Sequence, residues 1–128
     1  MPTRKSPIRL QFTREERLKA RNEIREVFSR GKRYVSKGDA GYGGAKLFVL
    51  KNSLNRNRIC FTFSRGFGNA VKRNRAKRLG REAYRSLKPR LSAGNDMILL
   101  AFPGEARPTL AGHTEQLQSL LSRAGLLQ

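Results

Sequence analysis

The sequence predicts one α/β domain, a two-layer-type sandwich with the element order α-β-β-β-α-β-α. Three observations carry this. Apolar residues fall at helical spacing in three separate stretches, near 19–30, 76–87 and 113–124. Short alternating or continuous apolar runs lie between them, at 45–50, 58–64 and 96–102. Gly, Asn and Pro residues mark the junctions. With 128 residues and no internal repeat, the chain suits a single domain with a modest core. That domain is expected over 13–128. Residues 1–12 are expected as a basic, mobile N-terminal arm, because Pro2 and Pro7 discourage a helix.

Thr13-Arg14-Glu15-Glu16 has the form of a capping box, but no sustained apolar stripe follows it. The first firm helix covers about 19–30. Ala20, Ile24, Val27 and Phe28 share one face, and Gly31 is a suitable stop. Core packing is the simpler reading of Ile24 and Phe28. A strand begins at 32–35. Residues 36–44 hold four glycines and read as a flexible loop, with Tyr42 at its tip in solvent. Ala45 to Leu50 is a strand, and the Asn-rich stretch 52–57 a turn. In Arg58 to Ser64, the clearest strand, Ile59, Phe61 and Phe63 point one way and Cys60, Thr62 and Ser64 the other. Cys60 reads as a small buried residue.

A long helix then runs from an Asn69 N-cap to about Leu87, before Pro89. Ala76, Leu79, Ala83 and Leu87, with Gly80, form its narrow apolar stripe. Arg73, Lys77, Arg81 and Arg85 form an i, i+4 ladder away from it, flanked by Asn74, Arg75 and Arg78. Like charges so spaced destabilise a helix by roughly 0.2–0.5 kcal/mol per pair, and cations in a first turn oppose the helix dipole. Only Glu82 offsets them. A polyanionic partner would remove the penalty. Asp96 to Phe102 is a strand typical of a sheet interior, 105–112 a loop, and 113–124 a last helix. His113, near the start of that helix, suits a surface or capping role better than catalysis.

The formal net charge of +19, from 28 Lys and Arg against 9 Asp and Glu, implies a nucleic acid or an anionic membrane as partner. No apolar run approaches a membrane span. One Cys and one His make neither an internal disulfide nor a zinc pattern, and a reducing, cytoplasmic setting fits. The acidic residues show no spacing that would gather a metal-dependent nuclease site, and no Ser-His-Asp set can be built. From Arg56 to Arg90 there are twelve Lys and Arg and one acidic residue, so the positive field concentrates there. Few uncharged polar side chains are available to read base edges, which favours folded RNA over sequence-specific duplex DNA.

At these residues the chain closely resembles the protein subunit of bacterial ribonuclease P. The resemblance rests on Gly68-Asn69-Ala70-Val71 followed by Arg73-Asn74-Arg75-Ala76-Lys77-Arg78. It extends to Leu18-Lys19, to Val27-Phe28 before Gly31, to the strand 59–64 and to the elements after 96, spanning about 17–123. It implies a ribonucleoprotein that removes the 5′ leader from precursor tRNA, with catalysis and most of the Mg²⁺ belonging to the RNA subunit. It further implies a left-handed β-α-β crossover around the basic helix, an exception to the usual hand. The implied partners are the catalytic RNA and precursor tRNA, with no membrane and no obligate protein partner. No catalytic residue is expected in the protein. Asn69, Lys72, Arg73, Asn74, Arg75, Lys77, Arg78 and Arg81 are the implied RNA contacts. Ile24, Phe28, Phe61, Phe63 and Arg65 are candidates for a leader cleft between the first helix and the sheet. Ile24 stands where the family often has Phe, and Ser64-Arg65-Gly66-Phe67 keeps one cation where two are common. The alternative reading is a structural RNA-binding protein such as a ribosomal protein.

Overall fold

A computed structural model describes residues 13–38 and 41–128; the expected N-terminal arm lies outside the described residues. The elements are α1 (Arg21–Arg30), β1 (Lys32–Ser36), β2 (Ala45–Lys51), β3 (Arg58–Phe63), α2 (Ala70–Leu87), β4 (Asn95–Ala101) and α3 (Leu110–Arg123). The expected order is therefore present. The last helix starts three residues earlier than expected. Thr109 caps it, its side chain accepting from the Gly112 N–H at 3.0 Å, so 110–112 are helix and not loop.

The four strands form one sheet in the order β1-β2-β4-β3. β1–β2 and β2–β4 are antiparallel, and β3–β4 is parallel, so β3-α2-β4 is a crossover unit. The central strand β4 is its most buried, as its apolar run predicts.

Strand alternation divides the core between two faces. Leu47, Ile59, Met97 and Leu99 pack against Ala83, Tyr84 and Leu87 of α2 and Leu117, Leu120 and Leu121 of α3. Tyr84 lies within the α2 stripe and is fully buried, a place the aliphatic pattern did not reveal. Gly80 lets α2 approach β3: a Cβ there would sit 2.9 Å from the Phe61 ring. On the other face Phe48 and Ile98 pack against Val27 of α1 and Leu18. The sandwich thus carries α1 alone on one face and the α2–α3 pair on the other.

Two polar knots fix the α1 face and the β3 edge. Arg58 and Asp96 are register neighbours on β3 and β4. The Arg58 guanidinium donates to both Asp96 carboxylate oxygens, at 2.8 and 2.7 Å. It also reaches Glu23 of α1 at 3.2 and 3.3 Å. Asn52 Nδ2 donates to Asp96 at 2.8 Å. The hydrogen bonds to Asp96, then those to Glu23, hold Arg58 ionised against burial. The second knot concerns residues 13–18, which had shown no apolar pattern. Thr13 N donates to Glu16 at 2.7 Å, completing the capping box around a short 3₁₀ turn, Arg14–Glu16. Arg17 bridges Ile59 in parallel, the Leu18 N–H reaches the Ile59 carbonyl at 3.1 Å, and Lys88 Nζ binds Glu16 at 2.8 Å. This segment covers part of the β3 edge, which would otherwise offer free backbone groups for pairing.

Arg58→Ala leaves the Asp96 carboxylate buried without its counter-charge. The expected loss is roughly 3–5 kcal/mol of unfolding free energy in urea titration. The Arg58→Ala/Asp96→Ala pair is expected to cost less than the sum of the two single changes, by roughly 0.5–3 kcal/mol.

Candidate nucleic-acid interface

The Asn69 side chain caps α2 by accepting from the Lys72 N–H at 3.0 Å, as its residue type predicts. The approach turns on Gly66 (φ +85°) and Gly68 (φ +147°). The Lys72 stem lies over Gly68, where a Cβ would stand 2.8 Å from its Cδ. Arg73 folds back, donating to the Gly68 carbonyl at 2.6 Å. No acidic residue lies in this first turn.

The predicted contacts spread around the helix. Lys72, Arg73, Asn74 and Arg78 are exposed, whereas Arg75, Lys77 and Arg81 are half-buried. Lys77 flanks β3, where its charge partly counters the burial that pushes the Cys60 thiol up. Cys60 is only half-buried and faces the α1 side. Arg75 turns the other way, toward α3, and donates to the Pro108 carbonyl at 3.1 Å. Arg85 is tied to Glu82 at 2.6 Å. Among the described residues, none of Lys72, Arg73, Arg75, Lys77, Arg78 and Arg81 has an ion pair. Most acids of the domain core are engaged elsewhere: Glu16 with Lys88, Glu23 and Asp96 with Arg58, and Glu26 with Arg30; Glu105 stands beside Lys72 and Arg75. The cationic block therefore keeps most of its field.

The five cleft candidates do not come together. Phe28 is 41% exposed, so it is a rim residue and not the core residue its spacing suggested. Its ring meets Phe48 edge-on, with centroids 4.9 Å apart. Ile24 packs beside it against the same small core. Phe61 and Phe63 lie on the opposite face of the sheet. Phe61 packs under Gly80, and Phe63 stacks obliquely on Phe67 at 4.6 Å. The alternation along β3 is present, but alternation alone does not say which helix each side meets. Arg65 is exposed in the turn after β3. The residues that share the face with Phe28 are instead Phe48, Lys46 and Leu100, with Val35 and Arg33 on β1 at the same register rows. Lys46 Nζ stands 5.4 Å from the Phe102 ring centre. The result is a partly apolar shelf beside α1 with cations along it. Its only trace in the sequence is Lys46 within the otherwise apolar run 45–50.

Tyr42 is docked and not free in solvent. Its hydroxyl lies 2.5 Å from His113 Nδ1 and bonds the Thr109 backbone, and Gly112 makes room for its ring. His113 is therefore an anchor for the glycine-rich loop. Burial, aided by the Arg75 charge, pushes its pKa below the ordinary value. Among the described residues, no three His, Cys, Asp or Glu side chains gather as a metal site, and no helix is long and apolar enough to cross a membrane.

A sequence model of the ribonuclease P family matches residues 12–125. The chain belongs to the ribonuclease P protein family. It is 46% identical over 84 residues to the ribonuclease P protein component of Natranaerobius thermophilus, covering 66% of this chain and 68% of that protein. Against the component from Dictyoglomus turgidum it is 32% identical over 120 residues, covering 91% and 95%. The solved RNase P protein from Thermotoga maritima shares 26% identity at a TM-score of 0.67, over 84% of this chain and 96% of that one. The Staphylococcus aureus RNase P protein has the same fold, with a TM-score of 0.70 at 23% identity over 88% and 98%.

The depressed His113 pKa makes the stability of the fold depend on pH. The unfolded chain binds the proton near the ordinary value of 6.5, and the folded chain only below it. Stability is therefore greatest above that value and falls as pH drops through the folded pKa. A thermal-melting series from pH about 7.5 to about 5 is expected to show this loss, and His113→Gln to flatten it.

Proposed function

We propose that the chain serves as the protein subunit of ribonuclease P, binding the catalytic RNA through α2 and assisting removal of the 5′ leader from precursor tRNA. The observation that carries this reading is the unpaired cationic block from Lys72 to Arg81, set in a chain of this family. Arg and Lys displace counterions from phosphates, and Arg adds bidentate geometry. The exposed Arg73, Asn74 and Arg78 are the primary contacts, with Lys72, Lys77 and Arg81 beside them. Asn69 contributes by starting the helix.

The shelf beside α1 is the substrate side. A single-stranded leader laid across Phe28, Phe48 and Lys46 would gain stacking and phosphate pairing without base-edge readout. Ile24 adds apolar contact at its margin. Phe61 and Phe63 act as support for α2 and its approach turn, and not as cleft walls. Catalysis and the Mg²⁺ ions are assigned to the RNA, in a cytoplasmic ribonucleoprotein.

The test adds the purified protein to a ribonuclease P RNA and follows 5′ processing of precursor tRNA at low Mg²⁺. Marked stimulation is expected, and its absence would overturn the proposal. Arg78→Ala is expected to weaken RNA binding and to lower the slope of log K against log salt by roughly 0.7–0.9. Phe28→Ala is expected to weaken leader binding by about 1–3 kcal/mol and to spare affinity for the catalytic RNA.

A further inference from the structure

Beside the start of α2 lies a cavity of about 490 Å³ that borders the cationic face and shares Lys72 and Arg75 with it. It is enclosed by the first turns of α2 and α3, the loop 102–108 and the glycine-rich segment at 42–44. Its size is that of small-molecule sites, which run from roughly 300 to 1,000 Å³. Three features describe what would fill it. Apolar surface dominates its walls, and Phe67 and Phe102 are among the lining residues. Val71 borders it and is 75% exposed, an unusual position for a large aliphatic side chain in a helix's first turn. The charge around it is positive: Lys72, Arg75 and Arg107 line it against Glu105 alone.

One polar atom of a lining residue is unpaired within the protein. Arg75 is held by its Nη2 bond to the Pro108 carbonyl, yet its Nε is buried with no hydrogen-bond partner. A buried donor left unmade costs about 1–3 kcal/mol, and more on a charged group. The Tyr42 hydroxyl and His113 Nδ1 already satisfy each other, so they shape the wall and leave Lys72, Arg75 and Arg107 as its cationic residues. A bare anion would meet the cations but leave the aromatic surface uncovered. An apolar ligand would leave the cations without counter-charge. An aromatic ring joined to a phosphate answers both.

We infer that this cavity receives one unstacked nucleobase of the RNA that binds α2, its phosphate lying at Lys72 and Arg75. The inference rests on the reading that α2 docks RNA, and it makes the N-terminal end of the helix a base-holding point as well as a charged face. Stacking on aromatic side chains is the usual way for proteins to hold bases splayed from RNA.

The test is an amide NMR titration of the full chain with adenosine 5′-monophosphate, ribose 5-phosphate and inorganic phosphate as separate probes. The mononucleotide is expected to shift Phe67, Val71, Ala106 and His113 saturably. The two base-free probes are expected to leave Phe67 and Ala106 unmoved. Saturating ribonuclease P RNA is expected to reduce mononucleotide affinity at least about tenfold, because its own base takes the place. Equal shifts from phosphate, no shift from the mononucleotide, or undiminished mononucleotide binding in the RNA complex would each overturn the inference. A parallel filter-binding measurement with the same RNA separates the two claims. Tight RNA binding with a silent cavity removes only the base site, whereas no RNA binding removes the docking reading itself.

Discussion

Arg58 holds three elements at once. Its guanidinium joins Asp96 on the central strand to Glu23 on α1, across the register pair that makes β3 and β4 parallel neighbours. A charge so placed is costly to bury; two carboxylates compensate it, and the Asn52 amide donates in turn to the Asp96 carboxylate. The knot fixes where α1 sits on the sheet. The position of α1 in turn leaves Phe28 at a rim and exposes the strip that runs through Lys46 and Val35. The shelf exists because α1 covers only part of its face.

The same knot shapes the electrostatics. Acidic residues are scarce, and those on the α1 side and at the β3 edge are paired there with Arg58, Arg30 and Lys88. Glu82, the one acid on α2, is drawn to Arg85 at the far end. The N-terminal half of α2 is left with cations that repel one another and oppose the helix dipole. Burial of Ala76, Gly80, Ala83, Tyr84 and Leu87 holds the helix in spite of that. A rigid, unneutralised row of charge is suited to phosphates, because the strain it carries is relieved only when they arrive.

Much of this was legible in the sequence, and the parts that were not share a cause. Local signals were reliable: the Asn69 cap, the Thr13–Glu16 capping box, the alternation of β3 and the apolar run of β4 each reappear in the structure. What periodicity cannot supply is the identity of the element across the gap. Phe61 and Phe63 stand beside Phe28 among the cleft candidates, yet the sheet separates them. Tyr42 looked like a loop tip because its partners, Thr109 and His113, lie about seventy residues away. Arg58 and Asp96 carry no mark of their pairing until the parallel register sets them side by side. Thr109 could have been read as an N-cap, since it follows Pro108 and precedes a leucine-rich helix.

The central claim is a division of labour between two faces, with α2 on the catalytic RNA and the α1 shelf on the leader. Site-specific photo-crosslinking tests it most directly, with the probe placed at Asn74 in one protein and at Phe28 in another, each assembled with ribonuclease P RNA and precursor tRNA. The account predicts that the Asn74 probe labels the catalytic RNA and the Phe28 probe labels the 5′ leader. Exchange of the two products, or labelling of the leader from Asn74, would contradict it.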